Sequence, residues 1–387
     1  MATGLRLLKV NFPLIFNSAL RNTSLNGTAC VGINRFIFTE NSLGINGYNN
    51  SRSQMHQQFA NVENSFRQKM NEIIKNENSI VFTEDLKAML HLVNKTPDDV
   101  NLVLQMMHKF NNQNKELRFG TYVFGPVVMR AFYYLDEPDL ALNTFLDSKL
   151  TYFFDQNMSY TILMTLLYKH EKYSDLRKVY DIIKTRNIDI QRFPRNPLII
   201  VIAGCYKENT PEALQYALEN WKELNQRGFR PIRRVITFIA GLAIKQNAPE
   251  IALEILTGLR TSRYIDNRCL KVIAYCKLNR IVDVIPLLRQ SVENTESRKE
   301  SYFSDAIELI EKSTENADVN VKMEITKLLA ALKAEGLVDS NTLDNHLNQP
   351  IERGITNRAQ DRRNIFQNYN NNIPDQTKRR LGLKDLL

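Results

Sequence analysis

The sequence predicts an all-α fold, a right-handed solenoid of stacked antiparallel helix hairpins, and three observations lead there. From about residue 81 apolar residues recur at helical spacing, with breaks every fifteen to twenty residues. The same two-helix pattern returns six times along the chain. A proline opens the second helix in four of the six copies, where its missing N–H costs nothing.

In chain order, residues 1–58 read as a leader. Arg6, Lys9, Arg21, Arg35 and Arg52 stand against Glu40 alone, among many Asn and Ser, with a short apolar stretch at Leu5, Leu7 and Leu8. Spaced arginines and scarce acids are the pattern of a mitochondrial transit peptide, and the apolar centre Phe12–Phe16 is too short for a secretory signal. The address expected is the mitochondrial matrix. Residues 59–121 read as an N-terminal helical region with a degenerate repeat, and residues 122–298 as the repeat array. Residues 299–347 read as capping helices, and residues 348–387 as a flexible basic tail containing Arg358, Arg362, Arg363 and Lys378–Arg380.

The copies align on the small or apolar residue early in the second helix: Val100, Ala141, Leu176, Ala213, Ala252 and Val284. Repeats then begin near Val81, Tyr122, Asn157, Pro194, Arg233 and Ile265, with lengths of 41, 35, 37, 39 and 32 residues. The prolines are Pro97, Pro138, Pro211 and Pro249, and Thr96 and Thr210 precede two of them as N-caps. In the hairpin from Asn157, Ile162, Leu163, Leu166 and Leu167 face one way on the first helix. Leu176, Val179, Ile182 and Ile183 do so on the second. Each helix thus shows one apolar stripe, and two such helices need further hairpins stacked on either side.

That hairpin closely resembles a pentatricopeptide repeat. Tyr160 and Thr161 match its opening aromatic and polar residues, Leu163 and Met164 its aliphatic pair, Lys169 its basic residue, Val179 and Tyr180 its aliphatic-aromatic pair, and Asn187-Ile188 its Gly-Ile. Other copies depart from the pattern. The repeat from Pro194 has Leu198 where a polar reader belongs and extra residues before Gly228-Phe229-Arg230-Pro231, and those from Val81 and Tyr122 match in outline. Across residues 60–347 the order of segments is also similar to members of this family, notably Phe124-Gly125-Pro126-Val127-Val128-Met129-Arg130 and Gly336-Leu337-Val338-Asp339-Ser340-Asn341-Thr342-Leu343-Asp344. The resemblance implies binding of single-stranded mitochondrial RNA, a part in mRNA processing that supports the respiratory chain, and RNA-processing or ribosomal proteins as further partners.

In the family the first helices meet the bases, so the resemblance makes Thr161 and Thr237 base-reading candidates, with Gln191 as the partnering residue at a repeat's end. Lys169, Lys245 and Lys277 share a place near the end of the first helix, and Lys207 lies one residue off. A lysine there is also favoured by the helix dipole alone, but the shared register makes the four a candidate phosphate-binding edge.

Charge does not decide the matter. The net charge is +9, of which residues 1–58 and 346–387 each carry +4, leaving the body nearly neutral. Cys30, Cys205, Cys269 and Cys276 lack the paired spacing of a zinc site or a disulfide framework, and Cys205, Cys269 and Cys276 read as small core residues. His56, His91, His108, His170 and His346 are scattered. Glu84-Asp85 and Asp98-Asp99 fall at helix starts, where acids favour the dipole. Tyr133, Tyr134, Phe153 and Phe154 read as core. With no phosphate-cradling loop, zinc helix or deaminase signature, neither an enzyme nor a cofactor is expected. No apolar run reaches the roughly 18 residues of a membrane span, so no membrane insertion is expected. A protein-binding helical scaffold or a structural subunit of a mitochondrial complex is the competing reading; the tetratricopeptide form of the scaffold is disfavoured because the single Trp, Trp221, falls in a second helix.

Overall fold

A computed structural model of the chain describes residues 36–117, 122–186, 193–229, 232–259, 264–293 and 301–351. Cys30, Gln191, the first 35 residues of the expected leader and the tail from residue 352 lie outside the described residues. Among the described residues the protein is all-α apart from one two-residue parallel pair, β1 (Tyr302–Phe303) with β2 (Val338–Asp339), and a single parallel bridge between Phe38 and Ile351.

Three helices precede the repeats: α1 (Glu40–Leu43), α2 (Ile45–Phe59) and α3 (Glu63–Lys75). The leader had been expected to run to residue 58, but residues 36–58 are part of the folded body. Ile37, Phe38, Leu43, Ile45 and Tyr48 are buried. Although α2 is mostly polar, Tyr48 and Arg52, one turn apart, dock it on the first repeat. The Tyr48 hydroxyl donates to the Leu90 carbonyl at 2.6 Å, and Arg52 donates to the His91 carbonyl at 2.7 Å and to Asn94 Oδ1 at 2.9 Å. Acid-poor composition looked like an address; two side chains make the segment structural. Gly44, left-handed at φ 73°, turns α1 into α2, and a Cβ there would approach the Arg130 guanidinium to 3.0 Å.

The repeats follow as six helix pairs: α4 (Thr83–Leu92) with α5 (Pro97–Leu117), α6 (Gly125–Leu135) with α7 (Pro138–Leu146), α8 (Asn157–Lys169) with α9 (Tyr173–Arg186), α10 (Arg195–Glu208) with α11 (Pro211–Gln226), α12 (Arg233–Lys245) with α13 (Pro249–Thr257), and α14 (Ile265–Lys277) with α15 (Ile285–Val292). Three more helices close the chain: α16 (Ser304–Thr314), α17 (Val319–Ala334) and α18 (Leu343–Leu347). The four prolines stand at the first position of α5, α7, α11 and α13, and Thr210 accepts a bond from the Ala213 N–H at 3.1 Å.

The turn from first to second helix is the most regular feature of the array. Asp136, Glu171, Asn209, Asn247 and Asn279 all adopt left-handed backbone, at intervals of 35, 38, 38 and 32 residues. In four of the five the residue after the turn bonds back to the carbonyl five positions earlier: Glu137 to Phe132, Lys172 to Leu167, Ala248 to Ala243 and Arg280 to Tyr275. This is the Schellman closure, which satisfies carbonyls the helix end would leave orphaned and tolerates Asn and Asp among non-glycine residues.

First helices pack side by side from α6 through α8, α10 and α12 to α14, and each second helix from α7 to α13 touches its own first helix and the next. Ion pairs link neighbouring hairpins: Lys172 with Asp139, Arg177 with Glu208, Arg186 with Asp155 at 3.3 Å. The expectation of one buried stripe per first helix does not hold. Every residue is buried over Ser159–Tyr168 of α8, Pro197–Tyr206 of α10 and Val235–Ile244 of α12. Neighbouring first helices and the second helices pack on each, α1 also packs on α8, and the stretch around Leu347 and Gln349 also meets α12.

Among the described residues no helix is long and apolar enough to cross a membrane. Cys205, Cys269 and Cys276 are buried, and burial pushes the Cys205 thiol up to about 12. Tyr133 and Phe154 are in the core, whereas Tyr134 is 46% exposed, with the Arg52 guanidinium 4.5 Å from its ring centroid.

Candidate nucleic-acid interface

Lys207, one residue off in the sequence alignment, falls in with the others in the structure: each of the four lysines stands two residues before the left-handed residue of its hairpin's turn. Lys169, Lys207, Lys245 and Lys277 lie at the ends of α8, α10, α12 and α14, four first helices in succession. Three reach an acceptor within the protein. Lys169 donates to Asp136 at 2.7 Å, across to the turn of the preceding hairpin, and the same carboxylate meets His170 at 2.9 Å. Lys277 donates to the Ile244 carbonyl at 2.8 Å, also in the preceding hairpin's turn. Lys245 donates to Asp344 at 2.7 Å. Lys207, half-buried between its neighbours, has no bonded partner among the described residues. Burial lowers its pKa, Asp344 opposes this, and the like charge of Lys245 adds to the lowering.

Asp344 joins this row from α18. It accepts the Tyr206 hydroxyl at 2.6 Å as well as Lys245, and its carboxylate lies under the field of Lys207 too. Burial alone would raise its pKa, but the bonds from Lys245 and Tyr206 and the two ammonium charges outweigh that, so it sits below the ordinary carboxylate range. The segment continues across the first helices: a Cβ on Gly241 of α12 would lie 3.6 Å from Leu347, and Arg234 donates to the Gln349 carbonyl at 2.6 Å. There it meets the segment before α1, since the Ile351 N–H donates to the Ile37 carbonyl at 2.7 Å. From the other side α1 packs on α8, and Arg130 of α6 donates to the Leu43 carbonyl at 2.9 Å.

As base-reading candidates the two threonines would need open hydroxyls. They are 2% and 0% exposed instead, and each hydroxyl donates within its own helix: Thr161 to the Asn157 carbonyl at 2.6 Å, Thr237 to the Arg234 carbonyl at 3.0 Å. Helical spacing sets Thr237 on the side of Arg234 and Gly241, the side that faces Leu347 and Gln349. A base reaches that hydroxyl only when the covering segment moves away. Gln191 lies outside the described residues, so the pairing of Thr161 with a repeat-end partner has no geometry to report. Sequence reading missed Tyr206 and Asp344. Their signal was weak: a tyrosine one residue before a register lysine, and an acid in a stretch noted only for its resemblance.

Successive helix pairs, five of the six with a left-handed residue at the joint and four with a lysine at the end of the first helix, define an all-α protein of helix hairpins. No family model matches the chain. The chain is similar, over most of its length, to proteins named mitochondrial pentatricopeptide repeat-containing protein 2. It is 27% identical to the Mus musculus protein over 70% of this chain and 71% of that one. Identity is 26% to the Xenopus laevis protein, over 85% and 86% of the two chains, and 24% to the Homo sapiens protein, over 87% and 86%. The resemblance to pentatricopeptide-repeat proteins read from the hairpin at Asn157 agrees with the names of these relatives.

Proposed function

We propose that the chain is a non-catalytic, single-stranded RNA-binding protein of the mitochondrial matrix, whose hairpins form a right-handed pentatricopeptide-type solenoid. In this reading it acts in mitochondrial mRNA processing and so supports respiratory-chain function, alongside RNA-processing or ribosomal proteins. The observation that carries the reading is the lysine row. Four ammonium groups recur at one place in four successive hairpins of a nearly neutral body, and periodic positive charge suits a periodic polyanion. Asp344 already places a negative oxygen where Lys245 and Tyr206 donate and the Lys207 charge acts, so a phosphate taking its place would meet the same two donors and the same field. Base reading by Thr161 and Thr237, with Gln191, requires the segments around Leu43 and Leu347 to give way first.

The burial of both threonines favours one other reading, a protein-binding helical scaffold whose outer surfaces hold a peptide partner. Binding of the full chain to a single-stranded RNA and to a duplex of the same sequence, at low salt, separates the two. Preference for the single strand is the expected result. No affinity for either at low salt removes direct RNA binding and leaves the scaffold.

A further inference from the structure

At the opposite ends of the first helices from the lysine row, α10 and α12 begin with arginines. Arg195 is the first residue of α10, and Arg233 and Arg234 are the first two of α12. Cations are disfavoured there, because the first turn carries the positive end of the helix dipole. Seven helices of the array, α4, α5, α7, α9, α11, α13 and α14, carry an acid in the first turn; α6, α8, α10, α12 and α15 carry none, and of these five only α10 and α12 open on arginine. Three guanidinium groups set against two helix N-termini therefore work against stability, and such a departure is expected where function requires it.

The three arginines line one cavity of about 550 Å³, whose walls also include the apolar side chains of Ile199, Ile232 and Pro350. Their partners within the protein are few. Arg195 is exposed, with no bonded partner among the described residues. Arg233 lies over the Tyr264 ring at 3.9 Å and reaches Asp266 at 3.7 Å, the one acid paired with the group among the described residues. Arg234 gives one N–H to the Gln349 carbonyl, but its Nε–H is buried with no acceptor. A buried donor left over beside an arginine-lined cavity calls for an acceptor from outside the chain.

We infer that this cavity is a binding site for a nucleoside phosphate, with a terminal phosphate held by Arg195, Arg233 and Arg234 and the nucleoside against the apolar wall. Guanidinium forks match phosphate oxygens in pairs, and a phosphomonoester carries more charge than an internal phosphodiester. The volume admits one nucleotide unit. Two sources share this chemistry: a free mononucleotide and the 5′-phosphorylated end of an RNA strand. The RNA arm rests on the RNA-binding reading above, while the free-nucleotide arm stands without it.

The test uses the full chain with three probes: a short 3′-labelled RNA bearing a 5′-phosphate, the same RNA with a 5′-hydroxyl, and uridine 5′-monophosphate. The phosphorylated RNA is expected to bind roughly tenfold tighter than its hydroxyl twin, as loss of charge-assisted hydrogen bonds implies. That preference should vanish in an Arg195→Gln, Arg233→Gln variant, both positions being exposed and the fold checked by circular dichroism. Arginine-dependent binding of the mononucleotide with equal binding of the two RNAs assigns the site to free nucleotide. Equal binding of both RNAs with no binding of the mononucleotide overturns the pocket and leaves RNA binding standing. Mononucleotide binding with no RNA affinity does the reverse, silence from all three probes overturns both, and a 5′-phosphate preference that survives in the variant overturns the pocket alone.

Discussion

Gly125 shows how tightly single residues are constrained in this array. It opens α6, and a Cβ there would stand 2.8 Å from the Phe153 carbonyl oxygen, 2.7 Å from Ser159 Oγ and 2.1 Å from Gln156 Oε1. The two side chains can turn away, but the carbonyl belongs to the backbone before α8. Alanine would gain up to about 1 kcal/mol in helix propensity, against about 1–3 kcal/mol for forcing a packed junction apart. Gly125→Ala is therefore expected to destabilise by about 1–2 kcal/mol in urea unfolding; an unchanged or raised midpoint would show that the junction yields. At this scale the sequence was legible where chemistry is local. The prolines at helix starts and the Thr210 cap act on their own backbones, so position alone reveals them. The burial of Thr161 and Thr237 was not legible, because it comes from packing by other elements.

The element that most changes the reading of the site is α18. Five residues long, it is held by its Thr342 cap, by Leu347 against α12, and by Asp344 between Lys245 and Tyr206. Asp344 is the titrating part of this hold. Its folded pKa is below its unfolded one, so its contribution is present above the unfolded carboxylate value and is lost as pH falls through the folded value. The thermal midpoint of Asp344→Asn should lie below that of the wild type at neutral pH, and the gap should close as the solution is acidified below the carboxylate range. A gap that stays constant with pH would mean that the carboxylate's charge does not hold α18. The same substitution frees Lys245, so single-stranded RNA binding at low salt is expected to strengthen several-fold, by roughly the worth of one charge-assisted contact. Weaker binding would place Asp344 on the side of the ligand. Helix boundaries were readable at this scale, since periodicity and caps mark them. The docking of α2 was not, because Tyr48 and Arg52 in a polar, acid-poor stretch give no local sign that they bond to residues about forty positions away.

At the scale of the whole molecule the lysine row is the property that no single hairpin possesses. Its register was visible in the sequence because it repeats with the hairpins; its internal partners were not, because Asp136, the Ile244 carbonyl and Asp344 come from other elements. The row also makes the central claim quantitative. Each lysine that neutralises a phosphate of a single strand contributes about 0.7 to the slope of log affinity against log salt. The decisive measurement is therefore the salt dependence of single-stranded RNA binding by the full chain and by a variant of confirmed fold with Lys169, Lys207, Lys245 and Lys277 changed to Gln. A weaker variant with a slope shallower by about 2–3 is the predicted result; equal affinity and equal slope in the two proteins would contradict the claim that this edge carries the RNA.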